Sequence, residues 1–255
     1  MKIRLVHSSE IHSTNRYILD QIPLGAREGL VVVADYQSAG RGRLDRSWQA
    51  PRGASLLASV LVDLEPLGEF LSLGSLVVGV SMLEALEPFA SDEVTLKWPN
   101  DLMMGERKLG GILVEMSSFG AGRMAVCGSG INVSWSAADL DRLGRPAVSL
   151  VDLGSATGDE RSIILQRYLP RLFANIRALS RGAHERERFL DQYRSRCSTL
   201  GRDVRIELRA GEVVGRAIDI DGDGALKVET KQGVEIVRTG DVVHARPVTD
   251  AVMEG

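Results

Sequence analysis

The sequence predicts an α/β domain followed by a small antiparallel β-barrel of SH3-like size. Up to about residue 200, short apolar runs rich in β-branched residues alternate with longer stretches whose apolar positions recur at helical spacing. After Gly201 the pattern changes to short alternating runs separated by glycine-containing turns, which is typical of a small barrel. We therefore place a boundary near residues 199–201 and expect two domains, residues 1–200 and residues 201–255.

Strands of the first domain are predicted at Leu30–Tyr36, Ser55–Asp63, Val94–Trp98, Gly111–Met116 and Met124–Val133. Phe70–Ala90 predicts a helix, because its apolar positions have helical spacing and its length exceeds that of a strand. A second helical stretch extends from Asp159 to Cys197, and we expect Pro170 and Gly182 to break it. Strands of the second domain are predicted at Val204–Leu208, Val213–Ile220, Ala225–Thr230 and Val234–Thr239.

Composition excludes several classes of function. The chain has 255 residues, 44% of them hydrophobic, and a formal net charge of −3, which does not favour a bulk nucleic-acid binder. Cys127 and Cys197 are too few for a disulfide framework or a cysteine metal site, and we expect both to be packed, reduced side chains. The start of the chain lacks the long apolar core of a signal peptide. No apolar run is expected to reach membrane-spanning length, since Leu71–Phe89 is interrupted by Ser, Gly and Glu. We therefore expect a cytoplasmic protein with no membrane partner.

A cationic loop, GRGRLDRSWQAPRG at residues 40–53, follows the first predicted strand. It carries Arg41, Arg43, Arg46 and Arg52. Guanidinium groups bind oxyanions bidentately, and glycines such as Gly40 and Gly42 let the backbone approach a ligand closely. A solvated surface loop is the alternative, but Trp48 argues against it because loops built only for solubility rarely carry tryptophan. The loop therefore predicts phosphate or carboxylate binding.

A second segment, KWPNDLMMGERKLGGILVE at residues 97–115, concentrates complementary groups. The proline is expected to end a strand, so that Asn100 and Asp101 fall on the following turn. A carboxylate there can hold Mg²⁺ or a nucleotide hydroxyl, and the amide can donate to phosphate oxygens. Lys108 begins the next predicted strand, and Gly110-Gly111 leave room for a flat ligand against the backbone.

These two segments, the later GSGINV and an early Ser13-Thr14-Asn15 occur in the order found in the biotin–protein ligase family, or biotin–[acetyl-CoA-carboxylase] ligases, which the chain closely resembles. The resemblance covers nearly the whole chain. It implies a mixed-sheet catalytic domain like that of the class II synthetase-like biotin and lipoate ligases, plus an SH3-like C-terminal domain. It further implies an ATP-dependent, AMP-forming ligase. Such an enzyme makes biotinyl-5′-AMP with Mg²⁺ and transfers biotin to a lysine of a biotin carboxyl carrier domain.

The resemblance also implies roles for individual residues. It assigns biotin binding to Ser13, Thr14, Asn15, Gln37, Gly40, Arg41, Gly42, Arg43, Lys108, Gly110 and Gly111. It assigns ATP or adenylate binding to Arg41, Arg43, Trp48, Lys97, Asn100, Asp101, Lys108 and Asn132. Catalysis is assigned to Lys108, Arg41 and Asp101, and Asp101 is also the candidate Mg²⁺ ligand. Ser13 has the alternative role of a helix N-cap.

The chain departs from the family pattern in three places. Asp45 stands where the arginine-rich loop usually has glycine, which puts the ligand role of Arg46 in doubt. Leu57-Ala58 replaces a tyrosine often found on the following strand. Ser13 comes almost at once, which leaves no room for the winged-helix domain of bifunctional members. We therefore expect a ligase that is not a DNA-binding repressor, and a monomer or a ligand-linked homodimer.

Three alternatives remain open from the sequence. A lipoate or related acyl ligase shares the fold and the adenylate chemistry. A biotin-responsive transcriptional regulator would require a DNA-binding element. A non-catalytic binding module is hard to reconcile with the presence of both Asp101 and Lys108.

Overall fold

The first part of the chain folds around a seven-stranded mixed sheet. The computed structural model describes residues 2–44, 46–68, 70–90, 94–117, 123–153, 160–208, 211–238 and 240–244. The strands are β1 (Arg4–Ser8), β2 (Leu30–Ala34), β3 (Ser55–Asp63), β4 (Val94–Lys97), β5 (Asp101–Met104), β6 (Arg107–Met116) and β7 (Met124–Asn132). Their order across the sheet is β1-β2-β3-β7-β6-β5-β4. β1 pairs parallel with β2 and the other pairs are antiparallel, so the predicted mixed sheet is confirmed.

Helices cover the two faces of this sheet unequally. They are α1 (Thr14–Gln21), α2 (Gly74–Ala90), α3 (Ala137–Asp141), α4 (Arg161–Leu179) and α5 (Ala183–Arg196). α2 and α4 pack on one face, where alternate residues of β3 such as Val60 and Val62 join the main core. The short helix α1 covers part of the opposite face through Ile18, against Leu61 and Val126. Since α1 is only 8 residues long, the rest of that face is left open for a cleft.

The last part of the chain forms a five-stranded antiparallel sheet. Its strands are β8 (Asp203–Leu208), β9 (Gly211–Ile220), β10 (Leu226–Thr230), β11 (Gly233–Val237) and β12 (Asp241–His244), in the order β11-β10-β9-β8-β12. It contacts the first part directly: the indole Nε1 of Trp98 donates to Gly224 O at 2.9 Å, and Arg194 donates to Ile220 O at 2.6 Å. The two sheets are separate, and the domain boundary near residue 200 stays a prediction.

The structure corrects several sequence-based expectations. β1, β5 and β12 were not predicted, and Asp101 opens β5 instead of lying in a turn. The predicted helix at Phe70 begins as an α-helix only at Gly74, after a 3₁₀ turn. Pro170 does not break α4, because the buried face of that helix packs against α2 on both sides of the proline. Gly182 does separate α4 from α5, as predicted.

The expectation that no segment reaches membrane-spanning length was wrong. Leu71–Ala90 is long and apolar enough to cross a membrane by length and composition. However, 72% of that window is buried inside the protein, as in the core helix of a globular domain.

Candidate functional site

A cleft lies on the face of the first sheet that α1 leaves open, and glycines on its central strands form the floor. A Cβ on Gly130 would lie 2.6 Å from the indole of Trp48, and one on Gly128 would collide with the side chain of Asn15. A Cβ on Gly111 would lie 3.1 Å from the Trp48 ring and 3.3 Å from Lys108 Nζ. The missing side chains therefore let Asn15, Trp48 and Lys108 lie close to the sheet backbone.

One end of the cleft is a buried, uncharged polar cluster at the start of α1. Gln37 Oε1 accepts from the Thr14 backbone N–H at 2.8 Å and lies 3.0 Å from Thr14 Oγ1. The Ser59 hydroxyl donates to Asn15 Oδ1 at 2.5 Å and lies 2.7 Å from Thr14 Oγ1. Ser13 caps α1 by accepting from the Arg16 N–H, as the sequence suggested, and it also lines the cleft. Few of these groups are free to rotate, so this end of the cleft is preorganised.

The cationic loop forms a small hairpin over the middle of the cleft. Gly42 N–H donates to Arg46 O at 2.7 Å, and Trp48 N–H donates to Gly40 O at 2.9 Å. Gly40 is required here because a Cβ would collide with the Trp48 carbonyl. Leu44, at the tip, has a φ of 52°, the left-handed region that disfavours most side chains. Asp45, which put the ligand role of Arg46 in doubt, lies outside the described residues.

Two arginines of the loop reach across to the sheet. Arg41 Nη1 lies 2.8 Å from Glu115 Oε1 on β6. Arg43 Nη1 donates to Asn100 Oδ1 at 3.1 Å and lies 3.3 Å from Gly240 O in the C-terminal part. Both side chains also line the cleft. The cleft is thus electropositive in its middle, with its arginines tied to fixed partners.

Lys108 and Asp101 form an ion pair in the same region. Lys108 Nζ lies 2.6 Å from Asp101 Oδ1, and the two side chains are 20% and 23% exposed. The ammonium group also lies 5.9 Å from the centre of the Trp48 ring. Asn100, beside them, donates through Nδ2 to Ile112 O at 2.8 Å, which holds the β4–β5 turn against β6.

Most of the predicted site residues meet in this cleft. Its lining includes Ser13, Thr14, Asn15, Gln37, Arg41, Gly42, Arg43, Trp48, Asn100, Asp101, Lys108 and Gly111. Gly40 is not among the lining residues, but its carbonyl accepts from the Trp48 N–H in the loop hairpin. A Cβ on Gly110 would lie 2.5 Å from Ile131 Cδ1 on the neighbouring strand, and Gly110 is not among the residues that line the cleft. Of the two glycines predicted to leave room for a flat ligand, Gly111 is the one at the cleft.

Lys97 and Asn132 lie beside the cleft, in smaller pockets. Lys97 lines one with Pro99 and Asn100. Asn132 is buried and donates through Nδ2 to Val148 O at 3.0 Å, and its Oδ1 has no hydrogen-bond partner among the described residues. Its pocket is also lined by Trp48 and Lys108, so it adjoins the part of the cleft that those two residues line.

Sequence reasoning missed several residues of the site. Ser59, Gly128, Gly130, Ser129, Arg145 and Glu115 line the cleft or hold a residue that does. Gly128 and Gly130 belong to the GSG of the quoted GSGINV motif, so alternation along a strand was an available signal for them. Arg46, whose role was doubted, lines the cleft as well.

The cleft offers too few side chains to hold a metal ion when no nucleotide is bound. No group of three or more His, Cys, Asp or Glu side chains suited to a metal occurs in the described part of the chain. Asp101 supplies one carboxylate, which suits a Mg²⁺ ion that brings phosphate and water ligands of its own. Cys127, on β7, is no alternative nucleophile, because burial raises the pKa of its thiol to about 12.

Comparison with known proteins agrees with this geometry. Residues 8–132 match the Biotin/lipoate A/B protein ligase family, and residues 199–245 match the biotin protein ligase C-terminal domain. The biotin–[acetyl-CoA-carboxylase] ligase of Mycobacterium tuberculosis is 38% identical over 92% of this chain and 86% of that protein. The bifunctional ligase/repressor BirA of Escherichia coli is 36% identical over 86% of this chain and 67% of that protein.

Solved structures give the same result. The biotin protein ligase of Aquifex aeolicus, in complex with biotin and ATP, superposes with a TM-score of 0.81 at 28% identity. The alignment covers 95% of this chain and 98% of that one. The fold, both sequence segments and the extended likeness to curated ligases agree, and the chain belongs to the biotin protein ligase family.

Proposed function

We propose that the protein activates biotin with ATP and transfers it to a lysine of a biotin carboxyl carrier domain, in the cytoplasm. The observation that supports this best is the arrangement in one cleft of a neutral polar pocket, two loop arginines and the Lys108–Asp101 ion pair. Relatives of this chain are named biotin–[acetyl-CoA-carboxylase] ligases, which supports a carrier domain as the acceptor. We propose no single acceptor protein.

The neutral pocket suits the fused rings of biotin. The ureido group is uncharged and carries two N–H donors and one carbonyl acceptor, which match the hydroxyl and amide groups of Ser13, Thr14, Asn15 and Gln37. A buried polar pocket of this kind discriminates strongly against a ligand that lacks the matching groups. Trp48 and the glycine floor offer apolar contact to the rest of the bicycle.

The cations suit the first reaction. A carboxylate oxygen of biotin attacks the α-phosphorus of ATP, and the bond to the bridging oxygen breaks to release pyrophosphate. Both reactants are anions, so their approach must be neutralised and oriented before the bond can form. In our proposal Arg41, Arg43 and Lys108 supply this positive charge, and Asp101 fixes the position of the Lys108 ammonium group.

In our proposal, residues beside the cleft contact the nucleotide. The unpartnered Oδ1 of Asn132 can accept a hydrogen bond from the exocyclic amine of adenine, next to the Trp48 ring. In our proposal Asn100, which lines the cleft, and Lys97, near it at the end of β4, contact the phosphates. A Mg²⁺ ion bound with ATP would use Asp101 and would supply charge neutralisation on the phosphates.

The second reaction uses the same cleft. The amine of the acceptor lysine attacks the acyl carbon of the mixed anhydride, loses a proton and displaces AMP. Asp101 is the one carboxylate among the described residues that line the cleft, so we propose that it orients the incoming amine. Since the anhydride hydrolyses readily in water, a loop that covers it protects the intermediate.

Lipoate activation is the alternative that the family match leaves open, since that family includes lipoate ligases. The dithiolane ring of lipoate offers no strong donors or acceptors to the polar pocket, so the pocket favours biotin. Pyrophosphate–ATP exchange with biotin or lipoate tests this. We expect exchange with biotin only, and its loss when EDTA removes Mg²⁺. Exchange with lipoate alone would contradict the proposal.

A further inference from the structure

Glu115 has no role in the reaction proposed above, yet it connects the two halves of the cleft. It lies near the end of β6 and on the same face as Gly111, because side chains alternate along a strand. Its side chain is only 19% exposed. Within the described residues, its two carboxylate oxygens have different partners. Oε1 lies 2.8 Å from Arg41 Nη1, and Oε2 accepts from Asn15 Nδ2 at 2.8 Å.

The Asn15 side of this connection is rigid. Asn15 is buried, its Oδ1 accepts from the Ser59 hydroxyl at 2.5 Å, and its Nδ2 also lies 3.2 Å from Leu113 O. Asn15 occupies the space left by the missing side chain of Gly128, since a Cβ there would overlap the Asn15 side chain. The carboxylate of Glu115 is thereby fixed in place and in orientation.

The side chain of Arg41 is 44% exposed, more than that of Glu115. Arg41 lines the cleft, whereas Glu115 is not among the lining residues. Glu115 uses one end of the guanidinium and leaves other N–H groups free to face a ligand in the cleft. An arginine side chain that is already held at one end loses less conformational entropy when it binds an oxyanion, so the free-energy cost of ordering it is smaller. The anchor thus favours the bound form of Arg41 without occupying the anion site.

We propose that Glu115 is a positioning residue. It anchors Arg41 to the rigid Asn15–Ser59 pair, so that the guanidinium is held ready for the carboxylate of biotin. The inference rests on the proposed function, because it takes Arg41 as the residue that meets that carboxylate. It adds a residue that lies outside the cleft lining and acts on the carboxylate of biotin through Arg41.

The test is to measure the binding of biotin and biotinamide by calorimetry to the wild-type protein and to Glu115→Gln. Glutamine has one acceptor oxygen where glutamate has two. If that oxygen accepts from Arg41, the NH₂ group of glutamine faces the Asn15 Nδ2 donor, and the two donors repel. Glutamine therefore cannot keep both bonds. We expect biotin to bind about tenfold more weakly and biotinamide, which lacks the carboxylate, to change by less than about twofold. Equal weakening of both ligands would mean damage to the ring pocket, and unchanged biotin binding would mean no role; either result overturns the proposal.

Two further variants sharpen the test. In an Arg41→Ala background, Glu115→Gln should weaken biotin binding by less than about twofold, because its effect passes through Arg41. Glu65→Gln, which removes a carboxylate 3.5 Å from Arg123 outside the cleft, is the matched control and should change neither ligand. A full effect of Glu115→Gln without Arg41 would overturn the proposal. Wild-type protein that neither binds biotin nor catalyses exchange would overturn the proposed function, and this inference with it.

Discussion

Lys108 Nζ and Asp101 Oδ1 lie 2.6 Å apart on neighbouring strands, with both side chains about four-fifths buried. The pairing arises from the sheet itself, since β5 and β6 are antiparallel and a register irregularity separates Leu102 from Met103. A charge this poorly solvated depends on its partner for its position, because removing one member of such a pair leaves the other uncompensated.

Asp101→Asn should therefore slow adenylate formation without unfolding the protein. We expect a loss of about 10- to 100-fold in kcat/KM for biotin, equivalent to roughly 1.4–2.7 kcal/mol of transition-state stabilisation. Steady-state pyrophosphate exchange measures this loss, and Asp203→Asn, at an exposed position on β8, serves as the control. A variant with wild-type kinetics would remove Asp101 from the mechanism.

Gly130→Ala should displace Trp48. The new methyl group would lie 2.6 Å from the indole, so the ring and the loop that carries it must shift. We expect KM for ATP or biotin to rise at least tenfold, and the intrinsic tryptophan fluorescence to change. Gly222→Ala adds a methyl group with no atom within 4 Å and should behave as wild type. Unaltered KM values in Gly130→Ala would show that the Trp48 contact is dispensable.

Ser59→Ala should weaken both stability and biotin binding. The buried hydroxyl satisfies Asn15 Oδ1 and contacts Thr14 Oγ1, so its loss leaves a buried acceptor without a donor. We expect a destabilisation of about 1–3 kcal/mol in urea unfolding, with weaker biotin binding by calorimetry. Ser195→Ala, on the exposed side of α5, is the control. Full biotin affinity in Ser59→Ala would argue that the α1 cluster does not bind the ring.

Asp35 should contribute stability that depends on pH. Burial alone would raise its pKa, but hydrogen bonds from Arg161 at 2.9 Å and from His7, together with their charges, lower the pKa below the ordinary 3.8. A carboxyl group with a lowered folded-state pKa stabilises the protein above its ordinary pKa and loses that contribution as pH falls through the folded value. Asp35→Asn should thus cost about 1 kcal/mol at pH 7, and the difference should shrink below about pH 4. Urea unfolding at several pH values measures it; a difference that is constant with pH would contradict this account.

The sequence predicted most of the residues that line the cleft, but it did not predict the short strands β1, β5 and β12. Both motif segments carry residue types whose chemistry is specific, so the arginines, Lys108 and Asp101 could be identified before their geometry was known. β5 was missed because its four residues, between a Pro-Asn turn and a Gly-containing turn, give too short a pattern. Its existence decides where Asp101 points, which is why the turn assignment was wrong.

Long-range packing accounts for the other differences. Pro170 breaks an isolated helical pattern, but α4 contacts α2, and side chains on both sides of the proline, such as Tyr168 and Phe173, are buried in the main core. Glu115 and Ser59 act through partners 44 or more positions away in the chain, and no local pattern reveals such contacts. The domain boundary, the oligomeric state and the absence of a DNA-binding element stay predictions from the sequence.

The most direct test of the account is single-turnover formation of biotinyl-5′-AMP by Lys108→Ala. Wild-type protein and Lys231→Ala, altered at an exposed turn between β10 and β11, are the references. We expect Lys108→Ala to remain folded, with some loss of stability and of biotin affinity, and to form the adenylate at least 100-fold more slowly at saturating biotin, because the charge that neutralises the two anions is gone. A rate within about threefold of wild type would contradict the central claim that this cleft joins biotin to AMP through Lys108.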